Sequence, residues 1–172
     1  IETFRKFTNK SNELSSFNLK LFIEENYNLL FGNIENDEIE IDILIDDTIH
    51  LNNYQNQLLQ VLISIITNSK DALIDANIKK KIIQLNIKEN KENIVIELFD
   101  NALGISENII NRVFEPYTTT RHKEQNKGLG LYIVHNIVTQ TLNGAICVEN
   151  INFSSDNNDY KGTKFTITIP SI

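Results

Sequence analysis

The stretch NKGLGLYIVHN, residues 126–136, joins a glycine-rich turn to the start of an apolar helical pattern. Gly128 and Gly130 stand directly before this pattern, in which apolar residues recur at helical spacing. The apolar positions are Leu131, Val134, Val138 and Leu142, with Ile133 and Ile137 widening the stripe. Because the first N–H groups of a helix lack backbone partners and lie at the positive end of its dipole, the turn is a candidate phosphate site. A tight turn without a ligand is the commoner reason for such glycines, so the rest of the chain must decide.

The composition indicates an acidic protein with a single domain. Its 172 residues are enough to bury a substantial core, and its formal net charge of −7 argues against nucleic acid as the main partner. A bound phosphate would therefore need local positive charge or a metal. Cys147 is the single cysteine, which excludes an internal disulfide and a cysteine zinc site.

The start of the sequence and the length of its apolar runs indicate whether the chain is part of a longer protein and where it is located. The sequence begins at Ile1 and contains no methionine, so we expect it to be part of a longer protein. No apolar run approaches the length of a membrane span, and no signal-peptide pattern opens the chain. We expect a cytoplasmic location, with membrane anchoring of the parent protein left open. Residues 1–16 are polar and indicate a linker or the tail of a preceding region, followed by one domain over residues 17–172.

The first half of this domain predicts two helices and a strand. Asn18 is a candidate cap for a helix with the apolar positions Leu21, Phe22, Leu29 and Leu30, and residues 39–45 alternate as a strand. The strongest helix is predicted over residues 54–76, with the apolar face Leu58, Leu62, Ile65, Ile66, Ala72, Leu73 and Ala76. Its polar stripe consists of Gln57, Gln60, Ser64, Asn68, Asp71 and Asp75. This stripe either faces water or meets a ligand, because Asn68 and Asp71 lie one turn apart.

Two further strands are predicted over residues 82–88 and 94–99. Because alternate strand residues share a face, Asp100 follows Ile96 and Leu98 onto the apolar side of the second strand. A carboxylate in an apolar interior needs a hydrogen-bond donor, since its uncompensated desolvation costs several kcal/mol. The donor is either an N–H group of the following turn or the amine of a ligand, and Asp100 alone favours neither.

The remaining segments predict a lid and a closing pair of strands. Residues 106–113 form a short helical turn, and residues 114–127 form a polar loop of the length seen in lids. Residues 145–149 and 163–169 predict strands separated by a flexible stretch, residues 150–161. The order of elements predicts an α+β fold, with helices packed on one face of a mainly antiparallel sheet.

Four stretches stand in a fixed order: QVLISIITNSKDAL (60–73), DNALGIS (100–106), FEPYTTTR (114–121) and KGLGLYIV (127–134), and GTKFTITIP (162–170) closes the chain. Together they resemble the ATP-binding catalytic domain of bacterial sensor histidine kinases, in the superfamily that includes gyrase, Hsp90 and MutL. The resemblance covers roughly residues 17–170. It implies a two-layer α/β sandwich of the Bergerat type, with three main helices over a mixed, mainly antiparallel sheet.

The resemblance also implies roles for individual residues. Asn68 would ligate the magnesium ion that bridges the triphosphate and, with Lys123, would take part in catalysis. Asp100 would accept the amino group of adenine, Thr163 would support it through water, and Gly104 would let the backbone pass close to the base. The implied nucleotide-binding residues are Asn68, Asp71, Asp100, Gly104, Ile105, Tyr117, Thr119, Arg121, Lys127, Gly128, Leu129, Gly130, Leu131 and Thr163.

The chain departs from the family pattern in three segments. The turn usually reads Asp-x-Gly-x-Gly, and here Ala102 replaces the first glycine. If that position needs positive φ, alanine costs about 1 kcal/mol. Asn126 and Lys127 stand where the phosphate loop often has glycine and a small hydroxyl residue, which suggests nucleotide binding that is weakened at most. Ser64 stands where the ATPases of the superfamily carry a water-activating Glu, and it favours phosphotransfer over hydrolysis.

The implied activity is transfer of the γ-phosphoryl group of Mg-ATP to a histidine, in two-component signal transduction. The family's phosphoacceptor histidine precedes an acidic residue, which none of His50, His122 and His135 does. The partners would be ATP, an upstream dimerisation and phosphoacceptor domain of the parent and, through the parent, a response regulator. We expect a monomeric fragment and a homodimeric parent.

Two alternatives are an ATP-binding or sensing module without transfer, and an ATPase or serine kinase of the same superfamily. The FEPYTTTR stretch favours the histidine kinase over the ATPase or serine kinase.

Overall fold

The computed structural model describes residues 13–34, 37–118, 128–155 and 157–171. Within these ranges the strands are β1 (Leu14–Asn18), β2 (Ile39–Ile45), β3 (His50–Tyr54), β4 (Lys81–Glu89), β5 (Asn93–Asp100), β6 (Ala145–Ser155) and β7 (Asn158–Pro170). The helices are α1 (Leu19–Glu25), α2 (Tyr27–Phe31), α3 (Gln55–Ala76), α4 (Glu107–Ile110) and α5 (Gly130–Asn136), and α5 continues as a π-helical turn over Ile137–Thr141. No helix in the described part of the chain is long and apolar enough to cross a membrane.

The main sheet of the described residues has five strands in the order β2-β4-β5-β7-β6. The β2–β4 pair is parallel and the other three pairs are antiparallel, so the expected mixed, mainly antiparallel sheet is confirmed. β1 and β3 form a separate antiparallel pair that the sequence did not predict. Their alternation is weak because polar residues such as Ser16 and Asn52 occupy much of both strands.

The core lies between the helices and one face of the sheet. β5 contributes Ile94, Ile96 and Leu98, all of them at most 2% exposed. α3 covers this face with a stripe at the helical period, consisting of Leu58, Leu62, Ile65, Ile66 and Leu73. Fully burying one such side chain contributes about 1.5–3 kcal/mol, so this contact fixes α3 across the sheet.

The first predicted helix is interrupted in the structure. Asn18 caps α1 as expected, with its Oδ1 atom accepting the N–H of Leu21 at 3.0 Å. The chain then leaves the helix at Asn26, and α2 starts at Tyr27. The placement of Leu21 on the buried face is wrong, because this side chain is 57% exposed. Ile133 on α5 is also wrongly placed, at 43% exposed.

The expected flexible stretch over residues 150–161 is wrong for the described residues. There β6 and β7 form one long hairpin, in which Asn150 faces Thr163 and Phe153 faces Tyr160. The two aromatic rings are in contact, with centroids 5.6 Å apart. β5 ends opposite Thr163, so the hairpin beyond this point has no further strand beside β7 and needs no apolar alternation.

Candidate functional site

Asp100 lies at the end of β5 on the buried face, as the alternation predicts, and is 2% exposed. Its Oδ2 atom accepts the hydroxyl of Ser69 at 2.8 Å, and its Oδ1 atom accepts the N–H of Ala102 at 3.1 Å. Burial raises the pKa of the Asp100 carboxyl, and the hydrogen bonds from Ser69, Ala102 and the Thr163 backbone oppose this rise. A turn donor is therefore present, yet a carboxylate oxygen can accept more than one hydrogen bond, so a ligand amine can be bound as well.

Ser69 is a site residue that the sequence analysis missed. It is 1% exposed and joins α3 to the end of β5 through its hydrogen bond to Asp100. A signal for it was available, because Ser69 continues the apolar stripe of Leu62, Ile65 and Ile66 at helical spacing. A hydroxyl in such a stripe is buried and needs a partner, which here is the carboxylate.

Ser64 and Asn68 form the neighbouring stripe of α3. They are one helical turn apart, both half-buried, and therefore share a face. Asp71 is also half-buried, close to one turn beyond Asn68. In the described part of the chain, no group of three His, Cys, Asp or Glu side chains could hold a metal. An amide oxygen with phosphate and water oxygens is nevertheless a donor set that suits Mg²⁺, so Asn68 fits the implied ion.

The turn after Asp100 avoids the strain that the sequence suggested. Ala102 has a negative φ, and the positive values fall on Leu103 at 68° and Gly104 at 85°. The N–H of Leu103 donates to the carbonyl of Lys161 at 3.1 Å, which ties the left-handed residue to β7. Alanine at the first glycine position therefore fits this turn without a conformational cost.

Asn101 anchors the same turn to the beginning of β4. Its Oδ1 atom accepts the N–H of Ile82 at 2.8 Å, and its Nδ2 atom donates to the carbonyl of Lys80 at 2.8 Å. The Asn101 side chain is buried and has both halves of its amide paired. This residue was not among the expected site residues, and it supports the turn from the side opposite β7.

The glycine turn before α5 packs closely against two other segments. Gly128 has a φ of 64°, and its carbonyl accepts the N–H of Tyr117 at 3.0 Å. A side chain at Gly128 would lie 2.7 Å from the carbonyl oxygen of Thr118, whereas one at Gly130 would lie 3.4 Å from the Ser64 hydroxyl. The glycines thus serve a tight turn, and they also bring the start of α5 next to the polar stripe of α3.

The other expected site residues divide into two groups. Ile105 and Leu131 are half-buried and pack against the core, Thr163 is buried beside Asp100, and Leu129 is half-buried next to Gly130. Tyr117 is 72% exposed. Thr119, Arg121, Lys123, Asn126 and Lys127 lie outside the described residues, so their roles stay predictions.

The domain is of the α+β class, and it places a buried carboxylate at a strand end beside a polar helix stripe and a glycine turn. Residues 53–172 match the family described as histidine kinase-, DNA gyrase B-, and HSP90-like ATPase. The chain belongs to this family, and the resemblance drawn from its four motifs is confirmed.

The relatives include a sporulation kinase and a sensor histidine kinase. The chain is 35% identical over 124 residues to sporulation kinase A of Bacillus subtilis, across 72% of this chain and 18% of the relative. It is 30% identical over 161 residues to the sensor histidine kinase ZraS of Salmonella typhimurium, across 92% of this chain and 32% of the relative. The chain therefore spans less than a third of the length of either relative.

Solved structures share the fold. The catalytic domain of the histidine kinase ThkA superposes with a TM-score of 0.72 at 25% identity, covering 92% of this chain and 97% of that chain. The mycobacterial sensor histidine kinase MprB gives a TM-score of 0.72 at 16% identity, with coverage of 92% and 97%. The expected two-layer fold is confirmed by these neighbours.

Proposed function

We propose that this chain binds Mg-ATP and transfers its γ-phosphoryl group to a histidine on a separate, upstream domain of the parent protein. The observation that carries the proposal is the buried Asp100 carboxylate, held by the Ser69 hydroxyl and the Ala102 N–H. An acceptor fixed in this way suits the amino group of adenine. It disfavours guanine, which carries a carbonyl oxygen where adenine carries the amine.

The phosphates would extend from this point along α3 toward the start of α5. Asn68 would contribute its amide oxygen to Mg²⁺, with phosphate and water oxygens completing the ion's six positions. The turn at Gly128, Leu129 and Gly130 would offer N–H groups, and Arg121, Lys123 and Lys127 would supply positive charge in an otherwise acidic chain.

The magnesium role is tested with Asn68→Ala. Removal of the amide oxygen should abolish most of the gain in ATP affinity that Mg²⁺ gives, because a ligand of the ion is lost. Titrations of both proteins with ATP, in Mg²⁺ and in chelator, measure this gain. An equal gain in the variant and the unmodified chain would contradict the role of Asn68.

The phosphoacceptor is expected outside this chain. The His135 ring is half-buried and packs on Phe114, with centroids 5.5 Å apart, and His50 Nδ1 lies 2.9 Å from the carbonyl oxygen of Thr48. His122 lies outside the described residues.

ThkA has been solved in complex with a response regulator, which supports a response regulator as a partner of this chain's parent. The same assignment implies a homodimeric parent and a cytoplasmic site of action.

Radiolabelled ATP provides the test of phosphotransfer. Phosphoryl transfer depends chiefly on positioning and on neutralising charge around the γ-phosphate, so the chain without an acceptor should bind Mg-ATP, hydrolyse it slowly and not label itself. Addition of the parent's histidine-bearing segment should produce an acid-labile, base-stable label. Rapid turnover by the chain alone would favour an ATPase, and an acid-stable label would favour a serine kinase.

Two features of the sequence suggested the alternative of a binding or sensing module that transfers no phosphoryl group. One was strain at Ala102, which the negative φ of this residue removes. The other, Asn126, lies outside the described residues. ATP binding without any labelling of the parent's histidine segment would favour this module over the kinase.

A further inference from the structure

The Asn150 side chain on β6 binds both backbone groups of a residue in the turn after Asp100. The N–H of Ile105 donates to Asn150 Oδ1 at 2.7 Å, and Asn150 Nδ2 donates to the carbonyl oxygen of Ile105 at 2.7 Å. One amide therefore pairs with this residue as a neighbouring strand would, across 45 positions of sequence. The motifs of the sequence gave Asn150 no role.

Gly104 is matched to this amide. A side chain at Gly104 would lie 2.7 Å from Asn150 Oδ1 and 3.0 Å from Asn150 Cγ, and the φ of Gly104 is 85°. Cβ atoms do not approach other atoms so closely, so the glycine makes room for the amide. The sequence explained Gly104 by passage of the backbone near the base, and Asn150 provides a separate reason for a glycine at this position.

Asn150 also stands in line with the adenine acceptor. It faces Thr163 across the β6–β7 pair, and Thr163 faces Asp100 across the β5–β7 pair. Directly opposed residues in antiparallel strands have Cβ atoms about 4.5–5.5 Å apart, so the three lie in one row across the sheet. The turn thus starts at one end of the row, at Asp100, and its residue Ile105 is held at the other.

We infer that Asn150 is a positioning residue of the nucleotide site, which sets the distance between Asp100 and the Gly104–Ile105 backbone. The inference rests on the proposed function, because it assigns this turn to adenine. Asn150 acts through Ile105 and needs no contact of its own with the nucleotide. Without the amide, the turn keeps the Leu103 bond to Lys161 and the packing of Ile105 against the core, but it loses both side-chain hydrogen bonds to the Ile105 backbone.

Two substitutions of Asn150 separate hydrogen bonding from shape. Asn150→Ala removes both bonds and should weaken ATP binding by about fivefold to tenfold, as expected for the loss of ordering by two neutral hydrogen bonds. Asn150→Asp has nearly the same shape and keeps the acceptor, but it sets a second oxygen against the carbonyl of Ile105. It should weaken ATP binding at least as much as alanine does.

Asn90 offers a matched control. Its Oδ1 atom accepts the N–H groups of Glu92 at 3.2 Å and Asn93 at 2.9 Å, in the turn between β4 and β5 at the opposite end of β5 from Asp100. Asn90→Ala therefore removes side-chain bonds to a turn that is remote from the site. The affinity of the Asn90→Ala variant for ATP should equal that of the unmodified chain. All titrations are made at a temperature at which circular dichroism shows that every variant is folded.

Isothermal titration with ATP and with GTP decides the inference. A positioning role lowers the preference for ATP over GTP in both Asn150 variants, whereas a general loss of folded protein lowers both affinities equally. Unchanged ATP affinity in Asn150→Asp, or an equal effect of Asn150→Ala and Asn90→Ala, would overturn the inference while the proposed function stands. Failure of the unmodified chain to bind ATP would overturn the proposed function and the inference together.

Discussion

At the scale of single residues, Asp100 combines a cost in folding with a proposed use in binding. Burial raises the pKa of this carboxyl, so the folded chain holds the proton more tightly than the unfolded chain does. The contribution of Asp100 to stability is therefore largest below its ordinary value of 3.8, and it declines as the pH rises through the raised pKa. Above the raised pKa the ionised group lowers stability, and this form is the one that would accept an amine.

Asp100→Asn should separate the two effects. ATP affinity should fall by about tenfold to a hundredfold, equivalent to about 1.5–3 kcal/mol for a hydrogen bond to a charged group. The free energy of unfolding without nucleotide should not fall at pH 7, because an amide can pair with Ala102 and Ser69 without a buried charge. Titration and urea unfolding measure the two quantities.

The pH dependence gives this prediction a second readout. The decline in stability between pH 3.8 and the raised pKa should be smaller in the variant than in the unmodified chain. An unchanged ATP affinity would rule out Asp100 as the adenine acceptor. A large loss of stability at pH 7 would show that the charge itself is needed for folding.

Ser69→Ala should weaken ATP binding through Asp100. Without the hydroxyl, the Oδ2 atom loses a donor that opposes the rise of the Asp100 pKa, so the pKa should rise further. We expect a loss of affinity of about threefold to tenfold and a loss of binding that begins at higher pH as the solution is acidified.

The double variant with Asp100→Asn is the control for this effect. If Ser69 acts through the carboxylate, the substitution of Ser69 should add little to the loss already caused by Asp100→Asn. A full additional loss would mean that Ser69 acts on the nucleotide by another route.

At the scale of elements, the turn before α5 packs against the segment at Tyr117 and Thr118. This packing depends more on Gly128 than on Gly130. Gly128 has positive φ, and an added Cβ would lie only 2.7 Å from the Thr118 carbonyl oxygen, whereas one at Gly130 would have ordinary space beside Ser64. The hydrogen bond from the Tyr117 N–H to the Gly128 carbonyl joins the two segments at this point. The two glycines are thus a matched pair for substitution.

Gly128→Ala should lower the free energy of unfolding by at least about 1 kcal/mol, because alanine disfavours positive φ and its methyl group would meet the Thr118 carbonyl. Gly130→Ala should change it by less than about 0.5 kcal/mol, as for most substitutions without a clash. Urea unfolding of the two variants measures the difference. Equal losses would contradict the packing described for this turn.

At the scale of the whole molecule, the proposed site between α3 and the sheet would link ligand binding to folding. The hydrogen bond from Ser69 to Asp100 joins α3 to β5, and the Leu103 bond to Lys161 joins the turn after Asp100 to β7. A nucleotide that bridges these elements binds the folded chain and not the unfolded one. It should therefore stabilise the molecule as a unit.

Mg-ATP at a hundred times its dissociation constant should raise the free energy of unfolding by about 2.7 kcal/mol. For a domain of this size that corresponds to a rise in melting temperature of about 5–10 °C. Differential scanning calorimetry measures the rise, and Asp100→Asn at the same ATP concentration should show a smaller one. No rise in the unmodified chain would contradict nucleotide binding.

Much of this architecture was predictable from local periodicity. The helical period of residues 54–76 predicts α3 and its buried face, and the alternation in residues 39–45, 82–88 and 94–99 predicts β2, β4 and β5. The same alternation places Asp100 inside. These patterns are readable because 3.6-residue and 2-residue periods decide which side chains share a face, whatever that face packs against.

The partners of the polar groups were decided by the tertiary structure. The Ser69 hydroxyl meets Asp100 across 31 positions of sequence, and the Asn150 amide meets Ile105 across 45. The β6–β7 hairpin has no apolar alternation over much of its length, and its register alone brings Asn150 opposite Thr163. A period shows which residues face inward, but the partner of an inward polar group depends on strand order and register, which arise only when distant segments pack.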